Sequence, residues 1–380
     1  MLSTDSSSRI TAIDTLRGFV MALMLVDHVR EYFYLHLQVP DPMLISSTPP
    51  ELFFTRLTSH FCAPIFVLLT GLGAWLYGNK AGRSRADVSA YLFKRGLFLV
   101  ALELTVINFA WSFAFPPSIL YLQVIWAIGL SMVALAALLW LPYPAQIACA
   151  LLIICGHNTL DVIQFQAGEW GFIPWAILHD RSVIEVSATL KLRTSYPVLP
   201  WVGVILLGYA LGPLYRSSIA AHYRQRWLTR IGAGMLMVFF ALRSWNVYGD
   251  HPRAQDGAAL EWVMSYLNVT KYPPSLLFLA LTLGVGLILL AWFERKQPLQ
   301  PLLQLGRVPM FFYTLHLYAL HCLYLVFNAL YGANQGSRFG FAEVWQLWLC
   351  AIVLLCILYF PCRWFAQYKQ RSRAPWTSYF

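Results

Sequence analysis

Apolar residues occur along this chain in successive blocks of about 20 residues, the length that a helix needs to cross a hydrocarbon layer about 30 Å thick. Short polar segments separate these blocks. The pattern predicts an all-α fold, a polytopic membrane bundle of about ten transmembrane helices, in which the fifth is the shortest. The predicted spans cover approximately 11–36, 52–78, 91–114, 119–140, 144–157, 197–215, 229–246, 273–294, 306–329 and 342–366.

The composition agrees with a membrane protein. Of 380 residues, 59% are hydrophobic and 12% are charged, whereas charged residues make up about 25% of a soluble domain. Neither a repeat nor a change of composition marks a second domain, so residues 1–380 are predicted to form one membrane domain, with a basic cytoplasmic tail at 367–380. The N-terminal segment lacks the pattern of a cleaved signal peptide. All seven cysteines lie in apolar blocks, which predicts small buried side chains and no disulfide framework.

The positions of Lys and Arg predict the orientation in the bilayer. Most of them flank one set of span ends, which predicts that both termini are cytoplasmic. The predicted location of the protein is the inner (plasma) membrane of the cell. The net charge of +10 then reflects topology and contact with anionic lipid headgroups, so no nucleic-acid partner is needed. Two longer outer loops, about 158–196 and 247–272, show no evident secondary structure, and long loops of this kind are usually functional.

The first predicted span contains an arginine and a histidine that lie on one helix face. Arg17 precedes His28 by eleven residues, and eleven steps of about 100° amount to roughly three full turns. The two side chains are therefore separated by about 16 Å along the helix axis. Arg17 is expected at the cytoplasmic mouth of the bundle, and His28 deep inside it.

This spacing suits a substrate whose two ends need different chemistry. Arg17 is suited to phosphate, which arginine binds through charge-assisted hydrogen bonds. The flexible arm of coenzyme A has a comparable length, and would bring an acyl thioester to His28. Histidine has an unperturbed pKa near neutrality, so His28 is predicted to act as the general base toward an incoming hydroxyl or amine.

Three more ionisable residues follow at the same depth. Glu31 is three residues beyond His28, which predicts that its carboxylate either orients the imidazole or stabilises the imidazolium. Asp27 points about 100° away from His28, toward another helix, and it is a second acidic candidate for the catalytic site. Arg30 is its expected partner on the same helix, either as part of the site or as a structural ion pair.

The ninth span repeats the arrangement of the first. Arg307 opens it at the cytoplasmic side as a second phosphate ligand, and His316 lies nine residues deeper as a second catalytic candidate. His321, farther outward, is a candidate for binding the acceptor. Lys94 and Arg95 are expected to add to the cluster at the cytoplasmic mouth, although topology alone also explains them.

Further candidates lie toward the outer side. His60 follows Arg56 by four residues, so the two share a face near the start of the second span, as a catalytic and a substrate-binding candidate. Lys271 and Tyr272 precede the eighth span, where they are suited either to contact an acceptor or to anchor the helix at the interface. The histidines lack ligand spacing such as HExxH, so no metal site is predicted.

Several stretches of sequence resemble one family. They are RITAIDTLRGFVMALMLVDHVREYFY, TPPELFFTRLTSHFCAPIFVLLTGLGAWL, YPVLPWVGVILLGYALG, KYPPSLLFLALTLG and LGRVPMFFYTLHLYALH. Together they resemble the bacterial DUF1624 proteins, which are related to the catalytic domain of heparan-alpha-glucosaminide N-acetyltransferase. The Arg and His of the first span also resemble the signature of the wider transmembrane acyltransferase superfamily. This resemblance implies contact with acyl-CoA for Arg17 and catalysis by His28. The family's catalytic histidine lies nearer the outer end of the span, so His36 competes with His28.

The leading hypothesis is a membrane acyltransferase. It would move an acetyl or other short acyl group from cytoplasmic acyl-CoA to an extracytoplasmic glycan or other small acceptor, with acetyl-CoA as co-substrate and no permanently bound cofactor. The alternative is a proton-coupled transporter that uses Asp27, Glu31, His28 and His316, and a third is a non-catalytic scaffold. The acceptor, O- or N-acylation, the acyl length and the oligomeric state, including a homo-oligomer, remain open.

Overall fold

The computed structural model describes residues 10–33, 43, 45, 48–80, 82–253, 257–372 and 374–378, which are mostly helical. Its α-helices are α1 (Thr11–Phe33), α2 (Pro50–Ser59), α3 (Cys62–Gly78), α4 (Arg85–Leu102), α5 (Asn108–Ser112), α6 (Val124–Leu138), α7 (Tyr143–Gly156), α8 (Phe172–Leu178), α9 (Leu199–Ala210), α10 (Ala221–Trp245), α11 (Ala259–Leu267), α12 (Leu276–Phe293), α13 (Gln300–Gly306), α14 (Pro309–Tyr331) and α15 (Val344–Arg371). A π-helical turn, Glu103–Ile107, joins α4 to α5. The strands are β1 (Ile119–Leu122), β2 (Val183–Glu185) and β3 (Lys191–Thr194).

Each of the ten apolar blocks contains at least one of these helices. Within the described residues, five helical stretches are both long and apolar enough to cross a membrane by length and composition. They are Pro50–Gly78, Tyr143–Val162, Leu276–Phe293, Pro309–Tyr331 and Val344–Arg371. The prediction of a helical membrane protein is thus confirmed, whereas the number of ten spans and the cytoplasmic termini remain predictions.

Helix α1 lies inside the bundle, in contact with α2, α3, α12, α13, α14 and α15. It is not among the five stretches, because Asp14, Arg17, Asp27, Arg30 and Glu31 make it too highly charged. Ionisable side chains in a membrane protein are tolerated where they face the protein interior and find partners there. Because α1 is surrounded by other helices, its charged side chains lie in the protein interior.

Other helices expose apolar side chains outward, as a lipid-facing surface requires. Leu152 of α7, Phe240 of α10 and Phe360 of α15 are all well exposed. The prediction that every cysteine is buried is wrong, because some cysteines lie on these outward-facing apolar surfaces. All seven are free, but Cys155, Cys322 and Cys356 lie on exposed helix surfaces.

A small sheet corrects the prediction for two segments. Residues 119–122, placed in the fourth span, form β1, which pairs in parallel with β3, and β3 pairs antiparallel with β2. The Asn108 side chain accepts a hydrogen bond from the backbone N–H of Tyr121 (2.6 Å) and donates one to its carbonyl (2.9 Å), which supports this strand. The outer loop 158–196 supplies α8, β2 and β3, and the loop 247–272 supplies α11, so neither is without structure.

Glycines bring α1 and α13 into backbone contact. A Cβ added to Gly18 would lie 1.9 Å from the carbonyl oxygen of Leu302. One added to Gly306 would lie 1.7 Å from the carbonyl oxygen of Asp14. Small residues allow such close helix packing in membrane proteins. The contact fixes the position of α1 near Arg17.

We expect Gly18→Ala to destabilise the protein, because its methyl group would overlap the Leu302 backbone. Overpacking of this kind costs about 1–3 kcal/mol. Gly234→Ala is the matched control, since a Cβ on this glycine of α10 would meet no atom within 4 Å. That change should stabilise the helix by up to about 1 kcal/mol. Thermal unfolding of the detergent-solubilised variants measures both, and a Gly18→Ala protein as stable as the Gly234→Ala protein would contradict this packing.

Candidate functional site

Two histidines from distant parts of the chain meet inside the bundle. The Nδ1 atom of His28, on α1, lies 2.6 Å from the Nε2 atom of His316, on α14. The planes of the two rings are nearly parallel, with an interplanar angle of 8°. His316 is fully buried, whereas His28 is partly exposed. The structure thus joins the two deep histidines into one pair.

The hydrogen bonds assign the proton positions in the neutral pair. Nδ1 of His316 lies 2.9 Å from the carbonyl oxygen of Phe312, which can only accept, so this nitrogen carries the proton. Nε2 of His316 is then an acceptor, and Nδ1 of His28 donates to it. Nε2 of His28 consequently keeps its lone pair and has no hydrogen-bond partner among the described residues. The arrangement is chemically that of a general base oriented by a second group.

Aromatic side chains surround His28. The ring of Trp111 stands edge-on at a centroid distance of 5.2 Å, and that of Tyr313 at 6.0 Å. Within the described part of the chain, the indole Nε1 of Trp111 and the hydroxyl of Tyr313 are buried without a hydrogen-bond partner. Buried Trp and Tyr polar atoms usually have a partner. These two groups are therefore available to a molecule bound beside His28.

Asp27 forms a buried ion-pair network with two arginines. Its Oδ1 accepts hydrogen bonds from Nε of Arg30 (3.0 Å) and from Nη1 of Arg56 (2.6 Å), and its Oδ2 accepts from Arg56 as well. This confirms both partners expected for Asp27, one on α1 and one on another helix. The prediction that Glu31 orients His28 is wrong: its carboxylate binds the guanidinium of Arg30. The physical reason is that Arg30 is a charged donor one residue away, whereas His28 is already paired with His316.

Beyond this network lies a cationic cluster, which we define as Arg56, Arg181, Lys271, Tyr196 and Tyr272. Nη2 of Arg56 lies 3.4 Å from the Tyr272 hydroxyl, which is itself 3.4 Å from the hydroxyl of Tyr196. The Lys271 ammonium lies 5.2 Å and the Arg181 guanidinium 5.0 Å from the centre of the Tyr272 ring. Burial raises the pKa of Tyr272, but the charges of Lys271 and Arg56 outweigh it and lower the pKa to about 8.

Asp250 holds the loop that carries Lys271 and Tyr272. Its carboxylate accepts hydrogen bonds from the backbone N–H (2.9 Å) and the hydroxyl (2.6 Å) of Thr270, and from the hydroxyl of Ser275. Ser275 also caps the N-terminus of α12. The loop is thereby fixed on both sides of Lys271 and Tyr272.

The remaining histidine candidates take separate positions. His60 is buried, has no partner for its Nδ1 within the described residues, and packs against Phe278. His321 contacts the carbonyl oxygen of Ala110 through Nδ1 (2.8 Å), and its ring stacks on Phe113 at 3.8 Å. His36 lies outside the residues that the structure describes.

Arg17 lies at the other end of α1. Its guanidinium donates to Oδ1 of Asp14 (3.3 Å) and to the carbonyl oxygen of Leu69 (3.2 Å). Arg307 follows α13, which packs on this end of α1, and its buried Nε has no hydrogen-bond partner among the described residues. Both arginines belong to the same end of the bundle.

Lys94 and Arg95 lie on α4. The side chain of Lys94 is exposed, and Nη1 of Arg95 lies 3.1 Å from the hydroxyl of Tyr91. The structure shows no contact of Lys94 with the Arg17 region among the residues that it describes.

Comparison with protein families settles the family of this chain. The family model described as "Heparan-alpha-glucosaminide N-acetyltransferase, catalytic" matches residues 9–251, which is more than half of the chain. The chain belongs to this family. The resemblance identified from the sequence is confirmed, and membership indicates a membrane acetyltransferase, with N-acetylation as the implied reaction. A search of the curated proteins finds no match.

The family match covers only part of the site. It includes Arg17, His28 and Arg56, whereas Lys271 and His316 follow its last residue, 251. The fold brings His316 to His28 on α1, and it brings Tyr272, the neighbour of Lys271, to Arg56 on α2.

Sequence reasoning missed several residues of the site. Trp111, Tyr196 and Arg181 carried no signal of their own, because only the fold brings them together. Glu103, however, was visible as an acidic residue within a predicted span. Its fully buried carboxylate accepts a hydrogen bond from the backbone N–H of Trp126 (3.1 Å), and so supports the N-terminus of α6.

Proposed function

We propose that this chain is an inner-membrane acetyltransferase. It transfers the acetyl group of cytoplasmic acetyl-CoA to an amine or hydroxyl of an extracytoplasmic acceptor, which we expect to be a sugar. The observation that carries this proposal is the His28–His316 pair, in which Nε2 of His28 keeps its lone pair and has no hydrogen-bond partner among the described residues. Family membership supports the acetyl group and favours an amine as the acceptor.

The pair performs the proton transfer of the proposed reaction. The acceptor's nitrogen or oxygen attacks the thioester carbon while Nε2 of His28 removes its proton. The imidazolium that forms is stabilised because its Nδ1–H donates to His316. The tetrahedral intermediate then expels the sulfur, which takes the proton from His28. The products are the acetylated acceptor and coenzyme A, and the histidine pair returns to its starting state.

Two neighbouring donors suit the negative charge that develops on the thioester oxygen. The indole N–H of Trp111 and the hydroxyl of Tyr313 are buried close to His28 without partners in the described residues. Preorganised donors of this kind stabilise an oxyanion strongly, because they need no reorganisation during the reaction. We assign them that role.

Acetyl-CoA would enter from the end of α1 at which Arg17 lies. Arg17 and Arg307 would bind its phosphates, and the pantetheine arm would run along α1 to His28. Helix α1 is continuous from Thr11 to Phe33, so the predicted separation of about 16 Å between Arg17 and His28 applies to a single helix. Lys94 and Arg95 remain candidates for the same cluster.

Arg17→Ala is expected to weaken binding of acetyl-CoA about ten- to a hundredfold, since hydrogen bonds to a charged group contribute about 1.5–3 kcal/mol. Binding of labelled acetyl-CoA to the purified protein measures this effect. Arg226→Ala is the control, because Arg226 is an exposed arginine of α10. The affinity of this variant for acetyl-CoA should equal that of the wild type.

The same binding measurement tests the proposed function. Saturable binding of acetyl-CoA by the wild type supports an acetyltransferase. Absence of binding would overturn the proposal, and if uptake driven by a pH gradient accompanied it, the transporter alternative would take its place. An unchanged affinity in Arg17→Ala would remove Arg17 from the donor site.

A further inference from the structure

A surface cavity lies between α14, α15 and the C-terminal turn Pro375–Ser378. It has a volume of about 510 Å³, within the usual range of ligand pockets. The residues that line it are all aromatic, and they are Phe311, Trp364, Phe365, Tyr368 and Trp376. The rings of Phe311 and Phe365 stack at a centroid distance of 4.2 Å, and the Trp376 ring lies 6.1 Å from those of Phe365 and Tyr368. The cavity therefore offers apolar contact on every side that the protein encloses.

The cavity is placed at the end of a membrane span. The predicted tenth span ends near residue 366, whereas α15 continues to Arg371. Trp364 and Trp376 are 62% and 49% exposed, so the aromatic wall faces outward and is not part of the core. Tryptophan and tyrosine are enriched at the level of the lipid headgroups. The cavity thus lies where the acyl chains of a lipid meet its headgroup.

Basic residues follow the cavity along α15. Arg371 is seven residues beyond Trp364 on this helix, and seven steps of about 100° are close to two full turns. The two side chains therefore share a face and are separated by about 10 Å along the axis. Lys369 is four residues beyond Phe365 and shares its face in the same way. The cavity is apolar at one end and bordered by positive charge at the other.

The neighbouring helices carry no carboxylate that could neutralise this charge. Residues 295–380 contain a single acidic residue, Glu343. It immediately precedes α15 and so lies at the other end of that 28-residue helix. Within this part of the chain, α13, α14 and α15 are therefore free of acidic residues along their whole length. An anion supplied from outside the protein would be electrostatically favourable here.

We propose that this cavity binds one anionic phospholipid. An acyl chain lies among the aromatic rings, and the phosphate contacts Lys369 and Arg371. Arginine binds phosphate oxygens through charge-assisted hydrogen bonds, and lysine adds a point charge. Basic pockets between transmembrane helices bind anionic lipid headgroups in this way. The apolar wall excludes a free phosphate as the natural occupant, because such an ion would leave the aromatic rings without a partner.

The position of the cavity predicts what the lipid does. Helix α15 contacts α1, α13 and α14, and Phe311 is the third residue of α14. A lipid held between α14 and α15 should stabilise the packing of these helices, because any ligand of the folded state shifts the unfolding equilibrium. This effect needs neither acetyl-CoA nor acetyl transfer. The proposal therefore does not rest on the proposed function.

The test uses the delipidated full chain in detergent, with three probes at equal concentration. They are phosphatidylglycerol, phosphatidylcholine with the same acyl chains, and glycerol 3-phosphate. We expect a saturable rise of Tm with phosphatidylglycerol, a much smaller one with phosphatidylcholine, and none with glycerol 3-phosphate. Equal responses to the two lipids, or no response to either, would overturn the anionic lipid site. A response to glycerol 3-phosphate equal to that of phosphatidylglycerol would indicate a site for a free phosphate and would overturn the assignment to a lipid.

Charge variants locate the headgroup. Lys369→Gln and Arg371→Gln should each weaken the affinity for phosphatidylglycerol about fivefold, the contribution of one basic residue near an anionic lipid. Arg226→Gln is the matched control, because it removes the same charge from an exposed position on α10. Its affinity should equal that of the wild type. An equal loss in Arg226→Gln would show that net charge alone attracts the lipid, and unchanged affinity in both α15 variants would equally contradict the proposal.

Fluorescence quenching locates the acyl chain. Bromine atoms on an acyl chain quench the tryptophans that they contact, so brominated phosphatidylglycerol should quench the protein more than brominated phosphatidylcholine does. Trp376→Phe keeps an aromatic ring in the cavity wall and should reduce this excess. Trp292→Phe is the control, since Trp292 is an exposed tryptophan of α12 and does not line the cavity. An excess that is unchanged in Trp376→Phe would place the lipid elsewhere.

Discussion

His28→Ala is expected to reduce kcat for acetyl transfer by about a hundred- to ten-thousandfold, the usual contribution of a positioned general base. The reason is that Nε2 of His28 is the nitrogen of the histidine pair that has no hydrogen-bond partner in the described part of the chain. Affinity for acetyl-CoA should change little, because the proposed phosphate site lies at the opposite end of α1, at Arg17. The measurement is transfer of labelled acetyl groups to an amino sugar by the purified protein.

His222→Ala is the control for this experiment. His222 is exposed at the start of α10, remote in sequence from α1 and α14, so its replacement should leave kcat unchanged. If His28→Ala retained the full wild-type kcat, His28 would not be the base. His36, the competing histidine from the sequence comparison, would then be replaced next.

Asp27→Asn is expected to lower the free energy of unfolding by about 3–5 kcal/mol, as removal of one partner of a buried ion pair commonly does. Asparagine keeps the size of the side chain but removes the charge that neutralises Arg56 and Arg30. Both guanidiniums are buried and cannot turn to water. Thermal unfolding in detergent, or the yield of folded protein, measures the loss.

Two further variants make this expectation specific. Glu185→Gln breaks an exposed ion pair with Lys191 and should cost at most about 1 kcal/mol. Combining Asp27→Asn with Arg56→Met removes the unpaired charge and should restore part of the lost stability. An Asp27→Asn protein as stable as the wild type would show that the network does not support the bundle.

The helical part of the fold could be predicted because the length of an apolar block is itself the signal. Every block contains a helix, since a chain in a bilayer must satisfy its backbone hydrogen bonds internally. The small sheet could not be predicted in the same way. Strand β1 begins an apolar block, and its partner β3 lies in a polar loop, so only their pairing in space identifies them.

Local spacing predicted contacts within α1 but not the choice among competing partners. Arg17 and His28 lie on one helix, as expected, and Asp27 binds Arg30 three residues away. Glu31 has the same spacing from His28, yet binds Arg30 instead. The hydrogen-bond partner of His28 is instead His316 of α14. The two residues are far apart in the sequence, so helix periodicity could not predict their contact.

The cationic cluster shows the same limit. Arg56 was recognised only as a substrate-binding candidate on the face of His60, and Lys271 as a residue before a span, where interfacial anchoring is an equally good explanation. Their convergence depends on Asp250, which fixes the loop before α12 from another part of the chain. Arg181 and Tyr196 join the cluster only through this tertiary arrangement.

The central claim is acetyl transfer across the membrane by way of His28. Sealed vesicles containing the protein, with labelled acetyl-CoA on the cytoplasmic face and an amino sugar only on the other face, test it most directly. The account predicts acetylated sugar on the far side with the wild type and almost none with His28→Ala. Transfer that requires both substrates on the same face, or that proceeds equally well in His28→Ala, would contradict it.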